Sequence, residues 1–421
     1  MANARKVAVN VLLKIENEAA YSNISLNNAF KGIEISAEDK ALATALVYGV
    51  LDRRITLHYV LKKFIKTPLK RLSPYTLSVL ETALYQIMYM DKIPDFSAVD
   101  EAVKLIKRSK ENKNSGFVNA VLRNILRQES LLPSGETAED LSVIYSCPID
   151  IVKSFLNDYG KENTTQLLKQ SLLAAPVTIK VNTVKTNVDF IKQNIGVDCF
   201  ETDIKDALVL KEGIDISNSP LYKDGLFYVQ DLSSQKVVSV LNPKPNERML
   251  DLCAAPGGKT FSAAISMQNK GEIISCDIHE HRVELIAKSA KRLGLDIVNA
   301  IKNDATVYNS KLGLFDCVLC DVPCSGLGII RRKPDIKYKD FKEFDSLCEI
   351  QLEILKTAAK YLKKGGRILY STCTLRKAEN EGVVNSFLME YNNFHKKYEH
   401  TFLPHIDGTD GFYCALLELS E

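Results

Sequence analysis

From Gly225 onward the chain alternates short apolar runs with longer amphipathic stretches. RMLDLC (248–253), EIISCD (272–277), AIKND (300–304), DCVLCD (316–321) and RILYST (367–372) read as strands, and the stretches 258–268, 280–293 and 345–362 lie between several of them as helices. Strands that are apolar at consecutive positions must be covered on both faces. A strand–helix alternation supplies that cover, so the pattern predicts a parallel sheet flanked by helices. In such sheets ligands collect at the carboxyl ends of the strands.

The first of those ends carries DLCAAPGGKT, Asp251 to Thr260. Its Gly258-Lys259-Thr260 matches the close of a phosphate-binding P-loop, but the rest of that motif fails. Cys253 stands where the opening glycine belongs, and Pro256 removes an N–H donor from the turn that would cradle the anion. What is left is a strand, a tight glycine turn and a helix.

Three carboxylates mark the same edge. Asp277 ends the second strand, 20 residues after Gly257, a separation at which an acid reaches the ribose hydroxyls of a nucleoside. Asp304 and Asp321 close the third and fourth strands, and each of the three can alternatively cap a turn or helix. No G-x-G-x-x-G fingerprint accompanies them, and an acidic edge repels a pyrophosphate. A cofactor with an adenosine, an amino acid, no phosphate and a cationic sulfur suits such an edge, which points to S-adenosylmethionine. Backbone N–H groups of the glycine turn, with Lys259, are expected to take its carboxylate.

Upstream, the composition divides. Residues 1–128 hold 20 Lys or Arg against 12 Asp or Glu, a net of +8, within a chain whose formal charge is +3. The runs LKKFIKTPLKR (61–71) and KLIKRSKENK (104–113) can follow a phosphate backbone or simply be solvated helix faces. Apolar residues at helical spacing in 7–15, 41–51, 77–90, 101–106 and 117–126, broken by Pro68, Pro74, Pro94 and Gly116, predict an all-helical domain over 1–130. A polar linker ends in LLPSGETAED. A small α/β domain is expected over 140–220, with helices at 149–159 and 165–173 and a strand in VTIKVNT (177–183), and the last domain over 221–421. The first residues do not read as a secretory signal, and the longest apolar stretch is too short to span a bilayer. A cytoplasmic location without membrane contact is expected.

The ten cysteines are scattered, so reduced thiols are expected rather than disulfides. Cys317, Cys320 and Cys324 form C-x2-C-x3-C but lack a fourth ligand nearby, and no metal is expected there or at Asp277-x-His279-x-His281. Two cysteines stand beside strand ends, Cys324 in DVPCSGLG and Cys373 in YSTCT. A thiolate beside a methyl donor has a specific use. Carbon 5 of cytosine is a poor nucleophile, but thiolate addition at carbon 6 makes it enamine-like, a carboxyl group near N3 assists, and loss of the C5 proton then expels the thiolate. One cysteine adds and a second assists release. Spacing alone leaves open which does which.

DLCAAPGGKT, DVPCSGLGIIRRKPDIKY, YSTCT and the closing DGFYCALLEL together resemble the bacterial RNA cytosine-5 methyltransferases, among them those acting on 16S ribosomal RNA. DKALATALVYGVLDRR and SGFVNAVLRNILR in the first domain resemble the helical RNA-binding fold of the antitermination factor NusB, and VNTVKTN and YVQDLSSQ resemble further family segments. The resemblance implies a multidomain chain: an all-α NusB-like N-terminal domain, a small α/β linker domain and a C-terminal Rossmann-like α/β methyltransferase domain that is S-adenosylmethionine-dependent. It implies Cys373 as nucleophile, Cys324 as the residue aiding release, and Asp321 as the assisting carboxyl group. Cys253, Ala254, Ala255, Pro256, Gly257, Gly258, Lys259, Asp277, Asp304 and Asp321 would bind the cofactor. Arg331 and Arg332 are placed to approach RNA phosphate, although a salt bridge fits either equally well. Two positions depart from the family pattern: Lys180 stands where relatives often carry Arg, and Cys147 where they often carry His. The expected partner is 16S ribosomal RNA, with its target base unpaired or flipped out, and the expected state is a monomer. The alternatives are a cytosine-5 enzyme for another RNA such as tRNA, a non-catalytic ribosome-assembly factor, and an exocyclic-nitrogen methyltransferase. The last class tends to carry a Pro-Pro-aromatic segment, which Asp321-Val322-Pro323-Cys324 is not.

Overall fold

The apolar segment 41–51 belongs to a helix that runs well beyond it, Ala37–Phe64. Ser36 starts this helix by accepting a hydrogen bond from the Asp39 N–H at 3.1 Å, and Leu57, Val60 and Leu61 carry the buried stripe through the basic run. Pro74 likewise sits in the first turn of Pro74–Tyr89, where its missing donor is harmless, with Ser73 capping Thr76 N–H. These two helices pack with Ala4–Glu18, Asp95–Lys107 and Ser115–Leu126 around one core. The computed structural model describes residues 3–18 and 22–420.

Contacts divide the chain into two units. One holds the residues up to Leu172 together with Lys333–Lys339; the other holds Leu173–Arg332 and the chain from Asp340 onward. The helices expected at 149–159 and 165–173 fall within Ile149–Gln170, which joins the helical unit together with Ala138–Ile144, a helix the sequence reading did not expect. Thr56 Oγ1 donates to Val143 O at 2.6 Å, and Ser146 Oγ accepts from Ile55 N–H at 3.1 Å. Within Ile149–Gln170, Gly160 takes φ 72°, which separates the two expected helices by a kink. The short turn Pro334–Tyr338 docks in the same unit through Lys337. Its fully buried ammonium donates to Asp52 Oδ1 at 2.9 Å, Asp52 O at 3.0 Å and Ser146 O at 3.3 Å, and Tyr338 OH donates to Leu51 O at 2.6 Å. Cys147, one of the two departures, is buried beside it, and burial pushes its thiol up to about 12.

The second unit begins with a four-stranded antiparallel sheet: β1 (Val177–Val181), β2 (Cys199–Glu201), β3 (Ala207–Leu210) and β4 (Phe227–Val229), in the order β2-β3-β1-β4. Lys180 is buried in it, with its ammonium on Lys205 O at 2.6 Å. Asn182, at the end of β1, donates to Gly225 O at 2.8 Å and to Leu293 O at 2.7 Å, tying this sheet to the helix Glu280–Leu293.

The larger sheet contains β5 (Arg248–Asp251), β6 (Glu272–Asp277), β7 (Val298–Lys302), β8 (Phe315–Asp321), β9 (Leu362–Thr372), β10 (Phe394–Phe402) and β11 (Phe412–Leu419). The order is β10-β11-β9-β8-β5-β6-β7. Strands β5 to β9 are parallel, as the alternation predicts, while β10 and β11 add an antiparallel edge. The direction of winding reverses between β5 and β8, the switch point at which strand ends open a crevice. Consecutive apolar positions serve opposite faces. Leu250, Val318, Cys320 and Tyr370 pack with helices Asp345–Ala359 and Glu381–Glu390, whereas Met249, Cys317, Leu319 and Leu369 pack with Leu232–Leu241, Gly258–Ser266 and Glu280–Leu293. Cys317 and Cys320 therefore face away from each other. Fully burying a large apolar side chain is worth roughly 1.5–3 kcal/mol, so this two-sided cover dominates the unit's stability.

The Lys337 anchorage is a test of this architecture. Lys337→Met keeps the aliphatic stem and removes the charged hydrogen bonds, and it is expected to lower stability by about 2 kcal/mol in urea unfolding. An unchanged midpoint would show that the docked turn contributes nothing.

Candidate active site

The turn after β5 is held by its own backbone. Ala254 N–H donates to Cys276 O at 2.8 Å and Gly257 N–H to Ala254 O at 2.7 Å. Gly257 adopts φ 105°, and a Cβ there would fall 2.3 Å from the Phe261 ring. The helix Gly258–Ser266 starts directly after it, without a side-chain cap, leaving its first N–H groups available.

Cys253, Ala255, Asp277, Asp304, Asp321 and Pro323 line one cavity of about 310 Å³, walled by Ile278, Ile350 and Ile354. That volume lies at the lower end of the range for small-molecule sites. Asp277 Oδ1 accepts from His279 N–H at 2.9 Å, and Asp304 Oδ1 accepts from Thr306 N–H at 2.9 Å and Thr306 Oγ1 at 2.7 Å. Both carboxylates thus cap their turns while keeping Oδ2 toward other partners. Ala254, Pro256, Gly257 and Gly258 shape the turn beside the cavity.

Lys259 reaches across the sheet edge. Its Nζ donates to Asp321 Oδ2 at 2.6 Å and lies 4.7 Å over the Phe412 ring, and Ser371 Oγ donates to Asp321 Oδ1 at 2.9 Å. Beneath them lies Asp251, a residue the strand-end reading passed over. It is fully buried, with Oδ2 accepting from Thr260 Oγ1 at 2.6 Å. Burial, aided by the Asp321 charge and opposed by the Thr260 bond, pushes its carboxyl up to about 7. Asp251 Oδ1 and Gln230 Nε2, either side of the glycine turn, are buried without a protein hydrogen-bond partner.

The two strand-end cysteines meet. Cys324 Sγ and Cys373 Sγ are 3.4 Å apart, a hydrogen-bonded thiol contact well beyond the roughly 2.05 Å of a disulfide. The bond to Cys373, burial, and the Glu379 and Asp321 charges hold the Cys324 thiol well above the usual range. Their loops touch at backbone level. Gly328 N–H donates to Cys373 O at 3.0 Å and Gly411 N–H to Gly328 O at 2.9 Å, so close that a Cβ on Gly328 would fall 2.0 Å from Gly411 O. Arg331 and Arg332, read either as RNA-phosphate contacts or as salt-bridge partners, pair with carboxylates of their own unit. Arg331 Nε donates to Asp410 Oδ1 at 2.6 Å, Arg332 Nε to Asp410 Oδ2, and Arg332 Nη2 to Asp231 Oδ2 at 2.9 Å. Desolvation favours this pairing: a guanidinium that is mostly buried needs a local anion.

A switch-point crevice with a phosphate-free glycine turn, acidic strand ends and paired thiols defines a methyltransferase with a nucleoside cofactor. Residues 238–418 match the 16S rRNA methyltransferase RsmB/F family, and residues 2–127 the NusB family. The chain is 38% identical over 98% of both chains to the probable ribosomal RNA small subunit methyltransferase B of Bacillus subtilis. It is 29% identical to the ribosomal RNA small subunit methyltransferase B of Proteus mirabilis, over 99% of this chain and 98% of that one. Among solved structures, the crystal structure of PH0851 aligns with a TM-score of 0.82 at 25% identity over 99% of both chains. A methyltransferase homologue from Pyrococcus horikoshii aligns at 0.60 and 26% identity over 68% of this chain and 99% of its own. The chain belongs to the RsmB/F methyltransferase family, carries a NusB-type helical domain, and uses S-adenosylmethionine. The cavity fits that cofactor by the chemistry of its lining: acidic groups for hydroxyls and a sulfonium, and isoleucines for a base.

Asp251 makes stability depend on pH. The folded chain holds its proton up to about pH 7 against an ordinary value of 3.8, so ionisation destabilises the fold as pH rises through that window, by about 4 kcal/mol in full. Asp251→Asn is expected to flatten this slope, so that its urea midpoint relative to wild type rises between pH 5 and pH 8. Parallel pH profiles for the two proteins would refute the assignment.

Proposed function

We propose that the chain methylates carbon 5 of a cytosine in 16S ribosomal RNA, in the cytoplasm, through a covalent adduct of Cys373 at carbon 6. The observation that carries this reading is the 3.4 Å contact of two thiols beside the acidic cavity. An enzyme that methylates an exocyclic nitrogen has no use for a thiol pair there.

S-adenosylmethionine, when bound, supplies an electrophilic methyl group. Asp277 and Asp304 hold ribose hydroxyls, and the turn from Cys253 to Gly258 takes the amino-acid end. Lys259 acts mainly on Asp321, fixing its carboxylate together with Ser371. Asp321 keeps lone pairs to accept from the exocyclic amine on the N3 edge of the flipped-out base, and from N3 once that nitrogen carries a proton. Cys373 adds as thiolate, with Cys324 donating its S–H to that sulfur while its own ionisation is suppressed. Carbon 5 would then take the methyl group, leaving the cofactor as a neutral thioether, and the C5 proton must leave before the bond from carbon 6 to the Cys373 sulfur breaks. Once Cys373 is bonded to carbon, the first cause that holds the Cys324 proton is gone; Cys324 gives that proton to solvent and, as thiolate, becomes the base that takes the C5 proton. Cys373 departs as thiolate, and the aromatic ring is restored.

The named relatives are ribosomal RNA small subunit methyltransferases, which supports the substrate class. The basic helical unit adds an electrostatic reason for an RNA partner, since its expected runs expose Lys62, Lys66, Lys70, Arg71, Lys107 and Arg108.

The test is methyl transfer to 16S RNA and to tRNA from cells lacking this gene, with bisulfite mapping of the product. Cys373→Ala is expected to lower transfer at least about 10³-fold, the scale for loss of a covalent nucleophile. Cys324→Ala is expected to form the RNA adduct and then stall. Wild-type turnover by Cys373→Ala, or N4-methylcytosine in the product, overturns the reading, and methylation of tRNA alone overturns the substrate.

A further inference from the structure

Cys324 and Cys373 stand on loops from different strands, and a single buried carboxylate grips the first of them. Glu379 is fully buried. Its Oε2 accepts from Ser325 N–H at 2.9 Å and from Gln351 Nε2 at 3.0 Å, and the same Gln351 amide donates to Pro323 O at 2.9 Å. The backbone on each side of Cys324 is thereby fixed by one Glu–Gln pair. Glu379 Oε1 faces Arg376 Nη1 at 3.4 Å, and Glu379 O accepts from Tyr370 OH at 2.6 Å. The next residue does the corresponding work for the other cysteine. Asn380 Oδ1 accepts from Thr372 Oγ1 at 2.6 Å and Asn380 Nδ2 donates to Thr374 O at 3.1 Å, so both neighbours of Cys373 are held. A hydroxyl pair, Ser325 Oγ and Thr374 Oγ1 at 2.6 Å, closes the bracket.

Burying a carboxylate is costly, and a well-packed apolar residue is often as stable or more so. The arrangement instead determines where a backbone lies. Chemistry that depends on two sulfurs acting in turn is sensitive to such placement, since a shift of about 1 Å can change a rate by up to about 10²-fold.

We propose that Glu379 is a positioning residue for Cys324, acting through Ser325, Gln351 and Pro323, and that it governs the release of the methylated base rather than the initial attack. This rests on the cysteine-adduct reading above. Glu379 touches no substrate atom in this role. It keeps the Cys324 sulfur where the C5 proton must be taken, while Asn380 holds both neighbours of Cys373 through its own hydrogen bonds.

The experiment separates attack from release. RNA bearing 5-fluorocytosine traps the adduct, because the C5 fluorine cannot leave as a proton does. With that RNA, Glu379→Gln is expected to form adduct within about twofold of the wild-type rate. With ordinary RNA the same variant is expected to turn over at least about tenfold more slowly and to accumulate an enzyme–RNA adduct that wild type does not. Gln351→Leu, which removes the donor to both Pro323 O and Glu379, is expected to show the same pattern and decides the matter if Glu379→Gln fails to fold. Release at the wild-type rate, or attack and turnover falling in parallel, overturns the inference. A wild-type enzyme that forms no adduct on the fluorinated RNA overturns the cysteine reading itself, and the inference with it.

Discussion

The ion pair between Lys259 Nζ and Asp321 Oδ2, 2.6 Å apart, is the contact on which the site depends. Lys259 belongs to the first turn of the helix Gly258–Ser266 that follows β5, and Asp321 to the end of β8, the two strands that flank the switch point. Ser371, at the end of β9, donates to the other oxygen of the same carboxylate. Three segments far apart in the chain are therefore fixed to one anionic group. The lysine side chain is only 11% exposed, so loss of either partner would strand a charge in a region where water compensates it poorly. Lys259, expected at the carboxylate of the cofactor, is in this structure engaged with the resident carboxylate of Asp321.

The same carboxylate reaches the thiols by field rather than by contact. Asp321 and Glu379 both raise the Cys324 thiol, after its bond to Cys373 and burial. An anionic surrounding suits a thiol that must stay protonated while its neighbour attacks and ionise only later. The other strand cysteines show what burial does without such timing. Cys276, Cys317 and Cys414 are pushed up to about 12, and Cys320 well above the usual range, so these are inert packing groups. Two thiols in contact at the strand ends are a different arrangement from four thiols buried within the strands.

The parallel half of the large sheet was legible because both of its faces are buried, which writes consecutive apolar residues into each strand. Its carboxylate edge was legible in the sequence, since the runs EIISCD, AIKND and DCVLCD each end in aspartate. The strand β10, Phe394–Phe402, was not: HKKYEHT is exposed along an edge and carries no apolar run to read. The antiparallel direction of β11 follows from its connection, not from its residues. Glu379, Lys337 and the Arg331–Arg332 pair defeated local reading in another way. A glutamate before a helix, a lysine in a polar turn and two adjacent arginines look solvated, and their meaning lies in partners distant in sequence: Ser325 and Gln351, Asp52 and Ser146, Asp410 and Asp231. The Asp251 proton is legible only in three dimensions, because its environment, not its spacing, sets it apart from Asp277 and Asp304.

Turning Arg331 and Arg332 inward changes where RNA affinity must come from. A guanidinium tied to Asp410 gains little by exchanging that anion for a phosphate, because the buried aspartate left behind would be uncompensated. Phosphate binding favours cations that are exposed and lightly paired. Lys104 fails that standard, bridging Asp100 and Glu101, whereas Lys62, Lys66, Lys70, Arg71, Lys107 and Arg108 on the helical unit are exposed. On the proposed reading, affinity and chemistry are thus divided between the two units. Sequence-independent attraction, with its dependence on salt, resides in the helical unit, so the acidic sheet edge, whose Asp321 already pairs with Lys259 and whose Asp277 lies 3.9 Å from Arg282, need not gather further cations for the phosphates. An edge that must hold a sulfonium beside a polyanionic substrate needs this division, because cations gathered there for the phosphates would weaken its grip on the positively charged cofactor.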